Sequence, residues 1–387
     1  MRPYERTHPW LKFQLDLRRA SKELWLRLGE AQSKCEHIAG TPLKPATGQK
    51  LHQVYLAKGV LATTAIEGNT LTEAEVLQLL EGKLHLPKSK EYLRQEIENV
   101  VKVCNEITSD RETSDGELTV ERIRSFNRSI LKDLEIPPDT VVPGVTRPYS
   151  VVVGPYKGAP HEDCDFLLKE LCSWLNEPVF RPAKEERIAF AVLRAVLAHL
   201  YLAWIHPFGD GNGRTARMVE FFILLSAGVP SPAAHLLSNH YNQTRSDYYR
   251  QLQFASSSGG DVFPFLQYAA TGFVDGLRSQ IEAIRVQQWN EAWCNYVDEQ
   301  FGERPSASQL RQKNLVLDLS EHDDWLTAEI PKLSPSLAAS YATKQAKTIS
   351  RDVNSLIHRG LIEKRGTRVR ARREIILAFL PPRKQRS

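Results

Sequence analysis

The sequence predicts a mainly α-helical protein with a short β-hairpin in its middle and a smaller α+β module at its C-terminal end. Three observations carry this. Apolar residues recur at helical spacing through the first ~110 residues and again from Asp163 to about Val286. A stretch rich in Pro, Gly and Val, Pro137 to Pro160, interrupts that pattern. Beyond Arg304-Pro305, three helical segments lead into a basic hairpin.

Taken in order, "SKELWLRLGEAQSKCEHIAG" and "TEAEVLQLLEGK" space Leu, Val and Ile as helices do, and each ends near a glycine. "SDRETSDGE" (Ser109 to Glu117) is polar and marks a candidate domain boundary. "LTVERIRSFNRSILKDL" resumes the helical pattern, and "YSVVVG" is the best strand candidate of the middle stretch. At the C-terminal end, "LRQKNLVLDLSEHDDWLTAEIPKL", "SPSLAASYA" and "TKQAKTISRDVNSLIHRG" read as helices and "LIEKRGTRVRAR" as a hairpin. Ile349, Val353, Leu356 and Ile357 form one apolar stripe, and Gly360 stands where a helix ends. The expected domains are an N-terminal helical region over 1–115, a core over 116–290 and a C-terminal module over 300–387.

Bulk properties exclude several classes. The chain has 387 residues, enough for two or three domains, with 42% hydrophobic and 25% charged residues, as in ordinary globular proteins. Its five cysteines (Cys35, Cys104, Cys164, Cys172, Cys294) are scattered and form no CxxC pair. That argues against a structural zinc site or a disulfide framework and for a reducing compartment, the cytoplasm. "MRPYERTHPWLKFQLDL" lacks the apolar core of a signal peptide. "RIAFAVLRAVLAHLYLAWIHPF" is nearly long enough to span a membrane, but Arg194 and His199 interrupt it. It is expected to be a buried core helix, and no membrane partner is expected.

That apolar run closes on "HPFGDGNGRTAR", His206 to Arg217, which asks for chemistry. Three glycines make a loop that feeds the helix "RTARMVEFFILLSAG". A helix N-terminus exposes N–H groups and a positive dipole end, and glycines let an anion approach the backbone. Arg214 and Arg217 lie three apart, so they share a face of the first turns. Two cations there oppose the dipole unless an anion lies between them, which points to a polyphosphate ligand. Beside phosphates, Asp210 suits Mg²⁺, which takes one or two carboxylates plus phosphate oxygens. His206, with an ordinary pKa near ~6.5, can take a proton from an attacking hydroxyl. Taken singly, such a His is an ordinary helix-end residue and Gly-Asn-Gly an ordinary turn; their conjunction carries the functional reading.

The stretch resembles the Fic-family signature, His-Pro-Phe-x-Asp/Glu-Gly-Asn-Gly-Arg-x-x-Arg, at all nine of its fixed positions. The resemblance extends over roughly residues 50–275. It implies a helical Fic core and transfer of AMP from ATP to a hydroxyl side chain (Ser, Thr or Tyr) of a target protein. It implies His206 as general base and Asp210 as the Mg²⁺ ligand. Gly211, Asn212 and Gly213 would cradle the α-phosphate, and Arg214 and Arg217 would hold the β- and γ-phosphates. Phe208 would seat the loop in the core.

"TTAIEGN" (Thr63 to Asn69) resembles the family's inhibitory motif, Ser/Thr-x-x-x-Glu-Gly/Asn. The implied pair is Glu67 with Arg217, a self-inhibiting contact; without the resemblance Glu67 is a solvated helix residue. "TRPYSVVVG" stands where the family keeps its β-hairpin flap, which docks the target by backbone pairing. Tyr149, Ser150, Val151, Val152 and Val153 are the candidates, with an ordinary edge hairpin as the alternative. "SDYYRQLQFASSSGGD" resembles the segment bordering the nucleotide base, so Tyr248 and Tyr249 join the nucleotide site; some members carry Asn where this chain has Ser256.

Residues 341–387 hold thirteen Lys and Arg against three acidic residues, a net +10, which leaves −5 for residues 1–340 out of the total of +5. Three helices and a basic hairpin are the winged-helix pattern. Lys344, Gln345, Lys347, Thr348 and Arg351 lie off the apolar stripe and could face a DNA groove, with Lys364, Arg365, Arg368 and Arg370 reaching phosphates. Protein contact is the alternative role for such a module. The reading is therefore a self-inhibited protein adenylyltransferase, a Fic core with a C-terminal winged helix. ATP, Mg²⁺ and a protein target are its expected partners, and DNA, a second copy of the chain and its own hydroxyls are further candidates. Removal of AMP, transfer of another nucleotide, or a DNA-binding regulator that senses nucleotide remain the alternatives.

Overall fold

Several helices begin where a hydroxyl caps them. Ser21, Thr72, Thr119 and Ser306 each accept a hydrogen bond from the N–H three residues ahead, and each opens a helix. Thr72 with Glu75 and Ser306 with Gln309 close full capping boxes. The structure is a computed structural model that describes residues 1–110, 116–135 and 141–377. The polar boundary at Ser109–Glu117, the start of the Pro-rich stretch, and Arg383, Lys384 and Arg386 lie wholly or partly outside the described residues.

In chain order the elements are α1 (Pro3–Thr7), α2 (Lys22–Gly40), α3 (Pro45–Ala65), α4 (Glu73–Leu80), α5 (Glu91–Asp110) and α6 (Val120–Ile130). The hairpin β1 (Val152–Val153) and β2 (Tyr156–Lys157) follows, then α7 (Cys164–Leu175), α8 (Arg187–Ile205) and α9 (Asn212–Ser226). Next come α10 (Ser231–Ala234), α11 (Leu236–Gln243), α12 (Arg245–Ser257) and α13 (Phe263–Phe301). The last elements are α14 (Ala307–Leu319), β3 (Trp325–Leu326), α15 (Pro335–Tyr341), α16 (Ala346–His358), β4 (Ile362–Arg365) and β5 (Arg368–Ala371).

The chain divides into two compact units, Met1–Ile281 and Glu282–Ser387. No division falls near residue 115. α3, α5 and α6 pack on α9, and α2 and α7 pack on α8, so the N-terminal helices and the signature helices share one core. The second unit starts inside α13 rather than at residue 300.

α8 is the centre of the first unit. The segment Lys184–Ile205 is long and apolar enough to cross a membrane, yet 89% of its most apolar window is buried inside the protein. The two polar residues that interrupt it, Arg194 and His199, find partners there. Arg194 donates to the Gly116 carbonyl and to Asn176, and His199 bridges the Tyr248 hydroxyl (2.8 Å) and Glu220 (3.1 Å). Tyr241 donates to the other Glu220 oxygen, so a buried carboxylate is shared by two partners. The N-terminus of α8 has no cap of its own. Gln32 on α2 supplies one, its Oε1 accepting from the N–H groups of Ile188 and Ala189 at 2.8 and 3.2 Å.

In the second unit α14, α15 and α16 accompany an antiparallel sheet in the order β3-β5-β4. β3 is a departure from the helical reading of "SEHDDWLTAEI". α14 stops at Leu319, and Trp325 and Leu326 pair with Val369 and Arg368. A two-residue strand is too short to show alternation, so only the partner strand reveals it. Val353 and Leu356 of α16 enter the core with Trp293, Leu315 and Val369, while Ile357 is exposed.

Gln32→Ala should orphan two buried N–H groups at the start of α8. A loss of about 1–3 kcal/mol is expected as a lower urea midpoint, and Gln32→Glu, which keeps the acceptor, should lose less.

Candidate functional site

Two helix ends meet at the signature. α8 ends at His206, whose φ of 50° and ψ of 58° are left-handed, a conformation that glycine usually supplies at a helix end. Among described non-glycine residues only Asp133 shares a positive φ. Strain of this kind concentrates at functional positions. Arg147 holds the turn. Its Nε donates to the His206 carbonyl (2.7 Å), Nη2 to those of Ala159 (2.6 Å) and Ile205 (3.4 Å), and Nη1 to that of Tyr149. A buried guanidinium thus caps the negative end of α8 and ties it to the hairpin. Gly158 of that hairpin is so close that a methyl group there would lie 3.1 Å from the His206 Cβ. Burial, and then the Arg147 charge, pull the His206 imidazole down to about 4, so at neutral pH it is uncharged and able to accept a proton.

The loop to α9 is held by side chains. Asn212 clasps it: its Oδ1 accepts from the Phe208 N–H (2.9 Å) and its Nδ2 donates to the Phe208 carbonyl (2.8 Å). The Asn212 side chain thus braces the loop on Phe208. Phe208 is buried and bridges Thr146. Asn127 on α6 donates to the Asp210 carbonyl (3.0 Å) and Thr215 (3.1 Å) and accepts from Gly144 (2.8 Å). Gly211, with φ 74°, opens α9, and no side chain caps its first turn.

Glu67 covers that turn. It stands not in a helix but in the turn ending α3, next to Gly68 with φ 109°. Its Oε1 accepts from Arg217 Nη2 at 2.5 Å, and Arg217 also donates to the Thr63 carbonyl at 2.9 Å. A methyl group on Gly213 would lie 2.3 Å from the same carboxylate oxygen, so glycine is what lets Glu67 rest on the helix end. Burial pushes the Glu67 carboxyl up, but the charge of Arg217 and its hydrogen bond, with Arg214 and His206 beyond, hold it below the usual range. Arg217 is fully buried, with Nε and Nη1 unpartnered among the described residues, whereas the Glu67 side chain keeps 32% exposure.

Arg214 is engaged differently. Nη1 donates to Glu96 on α5 at 2.6 Å and Nη2 to Asp210 at 3.2 Å. The second Glu96 oxygen accepts from Asn69 at 3.0 Å. Asp210 Oδ1 accepts from the Gly211 N–H at 2.6 Å, and its side chain is 44% exposed. Among the described residues no group of three His, Cys, Asp or Glu side chains could cage a metal. One exposed carboxylate fits Mg²⁺ of the kind that takes its remaining oxygens from phosphate and water.

The remaining candidates divide. Tyr248 is buried, its hydroxyl at hydrogen-bond distance from His199, and Tyr249 is exposed. Of the flap candidates, Val152 and Val153 are strand residues and exposed, paired with Lys157 and Tyr156. Tyr149, Ser150 and Val151 precede the strand, and Val151 accepts from the Gly158 N–H. Sequence reasoning missed Arg147, Asn127, Glu96 and Asn69 as supporting residues. Asn69 lay inside a quoted motif; Glu96 reads as one more charge in the Glu-rich α5, and nothing local distinguishes it.

Residues 117–224 match the Fic/DOC family. The chain is 28% identical over 237 residues to Protein adenylyltransferase fic-1 of Caenorhabditis elegans, a match covering 60% of this chain and 42% of that protein. It is 27% identical over 256 residues to Protein adenylyltransferase Fic of Nematostella vectensis, covering 66% and 55%. The chain thus spans about half the length of the curated relatives it matches. Its fold is similar to that of a Fic family protein from Desulfovibrio desulfuricans G20, with a TM-score of 0.56 at 18% identity, over 91% of this chain and 96% of the other. Residues 134–508 of Fic-1 from C. elegans superpose with a TM-score of 0.54 at 23% identity, over 68% and 73%. A glycine-flanked helix end with two buried arginines, preceded by a neutral histidine, defines the class of site, and all of it lies within the stretch that matches the Fic/DOC family.

Arg147→Met should release the hairpin and remove a charge that lowers the His206 pKa. The His206 pKa, followed by NMR, should rise from about 4 towards ~6.5, and amides of 149–159 should exchange faster.

Proposed function

We propose that this chain is a protein adenylyltransferase held inactive by Glu67. The observation that carries the reading is the Glu67 carboxylate, which lies on Gly213 and Arg217 at the uncapped N-terminus of α9. Relatives named protein adenylyltransferase support it. With Glu67 withdrawn, the backbone N–H groups of α9 and the buried Arg217 would receive the phosphates of ATP. The target hydroxyl, docked along the exposed Val152-Val153 edge, gives its proton to the neutral imidazole of His206 as its oxygen bonds to the α-phosphorus. The bond between the α- and β-phosphates breaks and pyrophosphate leaves. Mg²⁺, held by Asp210, would supply neutralising charge for the phosphates. A reducing cytoplasm is the proposed setting, supported by five free cysteines, four of them buried.

The intact pair of arginines favours a triphosphate donor over removal of AMP, and among the described residues Nε and Nη1 of Arg217 are buried without a partner. Glu67→Gly should raise self-modification by labelled ATP about tenfold or more, a barrier change of ~1.4 kcal/mol or larger. His206→Ala in that background should lose on the order of 10²–10⁴-fold while still binding ATP. Equal labelling of wild type and Glu67→Gly would return Glu67 to an ordinary surface carboxylate.

A second reading proposes the other unit, with its helices α14, α15 and α16 and its three-stranded sheet, as a winged helix that binds duplex DNA. Lys344, Lys347 and Arg351 are exposed on and beside α16 and, like Lys364, make no ion pair among the described residues. The one acid of α16, Asp352, is buried against Arg311, Gln312 and Tyr341. That face is therefore free of negative charge and suits a polyanion. The hairpin contributes less than expected, since Arg365 and Arg370 are paired with Glu363 and Arg368 with Asp324. Fluorescence anisotropy of the full chain with duplex DNA should show affinity falling steeply with salt. Lys347→Ala with Arg351→Ala should weaken binding more than Lys169→Ala on the other unit; equal losses would overturn the reading.

A further inference from the structure

We propose that Glu96 is a positioning residue for the cation site at Asp210: it draws Arg214 away from Asp210 and so leaves a carboxylate oxygen open to a divalent cation. The proposal rests on the reading of Asp210 as the Mg²⁺ ligand.

Arg214 is 5% exposed and needs a counter-charge in reach. Two carboxylates compete for it. Asp210 lies one helical turn before it on the same strip of chain, a spacing at which Asp and Arg pair readily. Yet the contact with Asp210 is the long one, 3.2 Å, and the contact with Glu96 the short one, 2.6 Å. Glu96 wins because it is better held. Its side chain is 15% exposed, it sits on the core helix α5, and its other oxygen accepts from Asn69. Asn69 is fixed in turn, donating to the Leu93 carbonyl at 2.9 Å and accepting from Leu71. Asp210 is left with one oxygen on the Gly211 N–H and the other only loosely shared.

Removing the charge of Glu96 reverses the balance. Arg214 then has Asp210 as its remaining partner and closes on it. A cation approaching Asp210 must displace a guanidinium, and its affinity falls. Asn69 stands two residues after Glu67 in the same turn, so one turn reaches both signature arginines. Glu67 touches Arg217 directly, and Asn69 touches Arg214 through Glu96.

The test uses the full chain carrying Glu67→Gly, so that the phosphate site is open. Mn²⁺ is titrated in the presence of a saturating ATP analogue with a methylene between its α- and β-phosphates, and bound Mn²⁺ is read by electron paramagnetic resonance. Adding Glu96→Gln should weaken Mn²⁺ binding roughly ten- to a hundredfold, as loss of an outer partner of a metal ligand does. Adding Asn69→Ala should weaken it less, and adding Glu96→Asp should restore part of the loss. Affinity for the metal-free analogue, read by competition with a fluorescent nucleotide, and the melting temperature should stay close to those of the parent. Unchanged Mn²⁺ affinity in Glu96→Gln overturns the proposal. So does an equal loss of nucleotide affinity and melting temperature, which marks general damage. If Asp210→Asn leaves Mn²⁺ affinity intact, the metal-ligand reading itself falls, and this proposal with it.

Discussion

The site depends on an electrostatic conflict. Arg214 and Arg217 are buried within the first two turns of α9, at the end of the helix that is already positive. Neither can stay there uncompensated, because a lone buried cation is costly. The protein resolves this with carboxylates brought from other helices, Glu67 after α3 and Glu96 on α5. The packing of α3 and α5 on α9 is therefore both core formation and charge compensation. It is the reason the N-terminal helices and the signature belong to one unit.

The opposite helix end obeys the same rule with the signs exchanged. α8 delivers its last carbonyls to the site, and Arg147 donates to two of them, Ile205 and His206. That cation has a consequence for the base. It stabilises the left-handed turn and, by its charge, helps keep the imidazole neutral. A single guanidinium thus links the hairpin, the helix end and the protonation state of His206.

How legible this was in the sequence follows from distance along the chain. The signature is twelve contiguous residues, so His206, Asp210 and the two arginines could be read together with their glycines. Glu67 was legible because its motif is also contiguous. What escaped was the set of partners from elsewhere: Arg147 is 59 residues from His206 and Glu96 118 from Arg214. Periodicity places such residues on helices but does not say which neighbour they meet. The fold partners of Asn212 and Tyr248 were hidden for a related reason, since Asn212 meets Phe208 four residues back only because the loop curls, and Tyr248 meets His199 on another helix. In the second unit β3 was hidden because its two residues acquire strand character only from β5.

The two carboxylates that neutralise the arginines differ in one respect that decides their roles. Glu96 is anchored on a helix and shielded, with a second donor on its far oxygen. Its removal would require breaking the core. Glu67 sits in a turn and remains 32% exposed while its partner is fully buried. Water therefore reaches the outer side of Glu67 while Arg217 stays sealed from it. Among the described residues Glu67 is the one carboxylate paired with Arg217. It is also exposed enough on one side to be exchanged for another anion. A contact with the exposure of Glu96 on both sides would hold the site shut, and one with the exposure of Glu67 on both sides would not hold it at all.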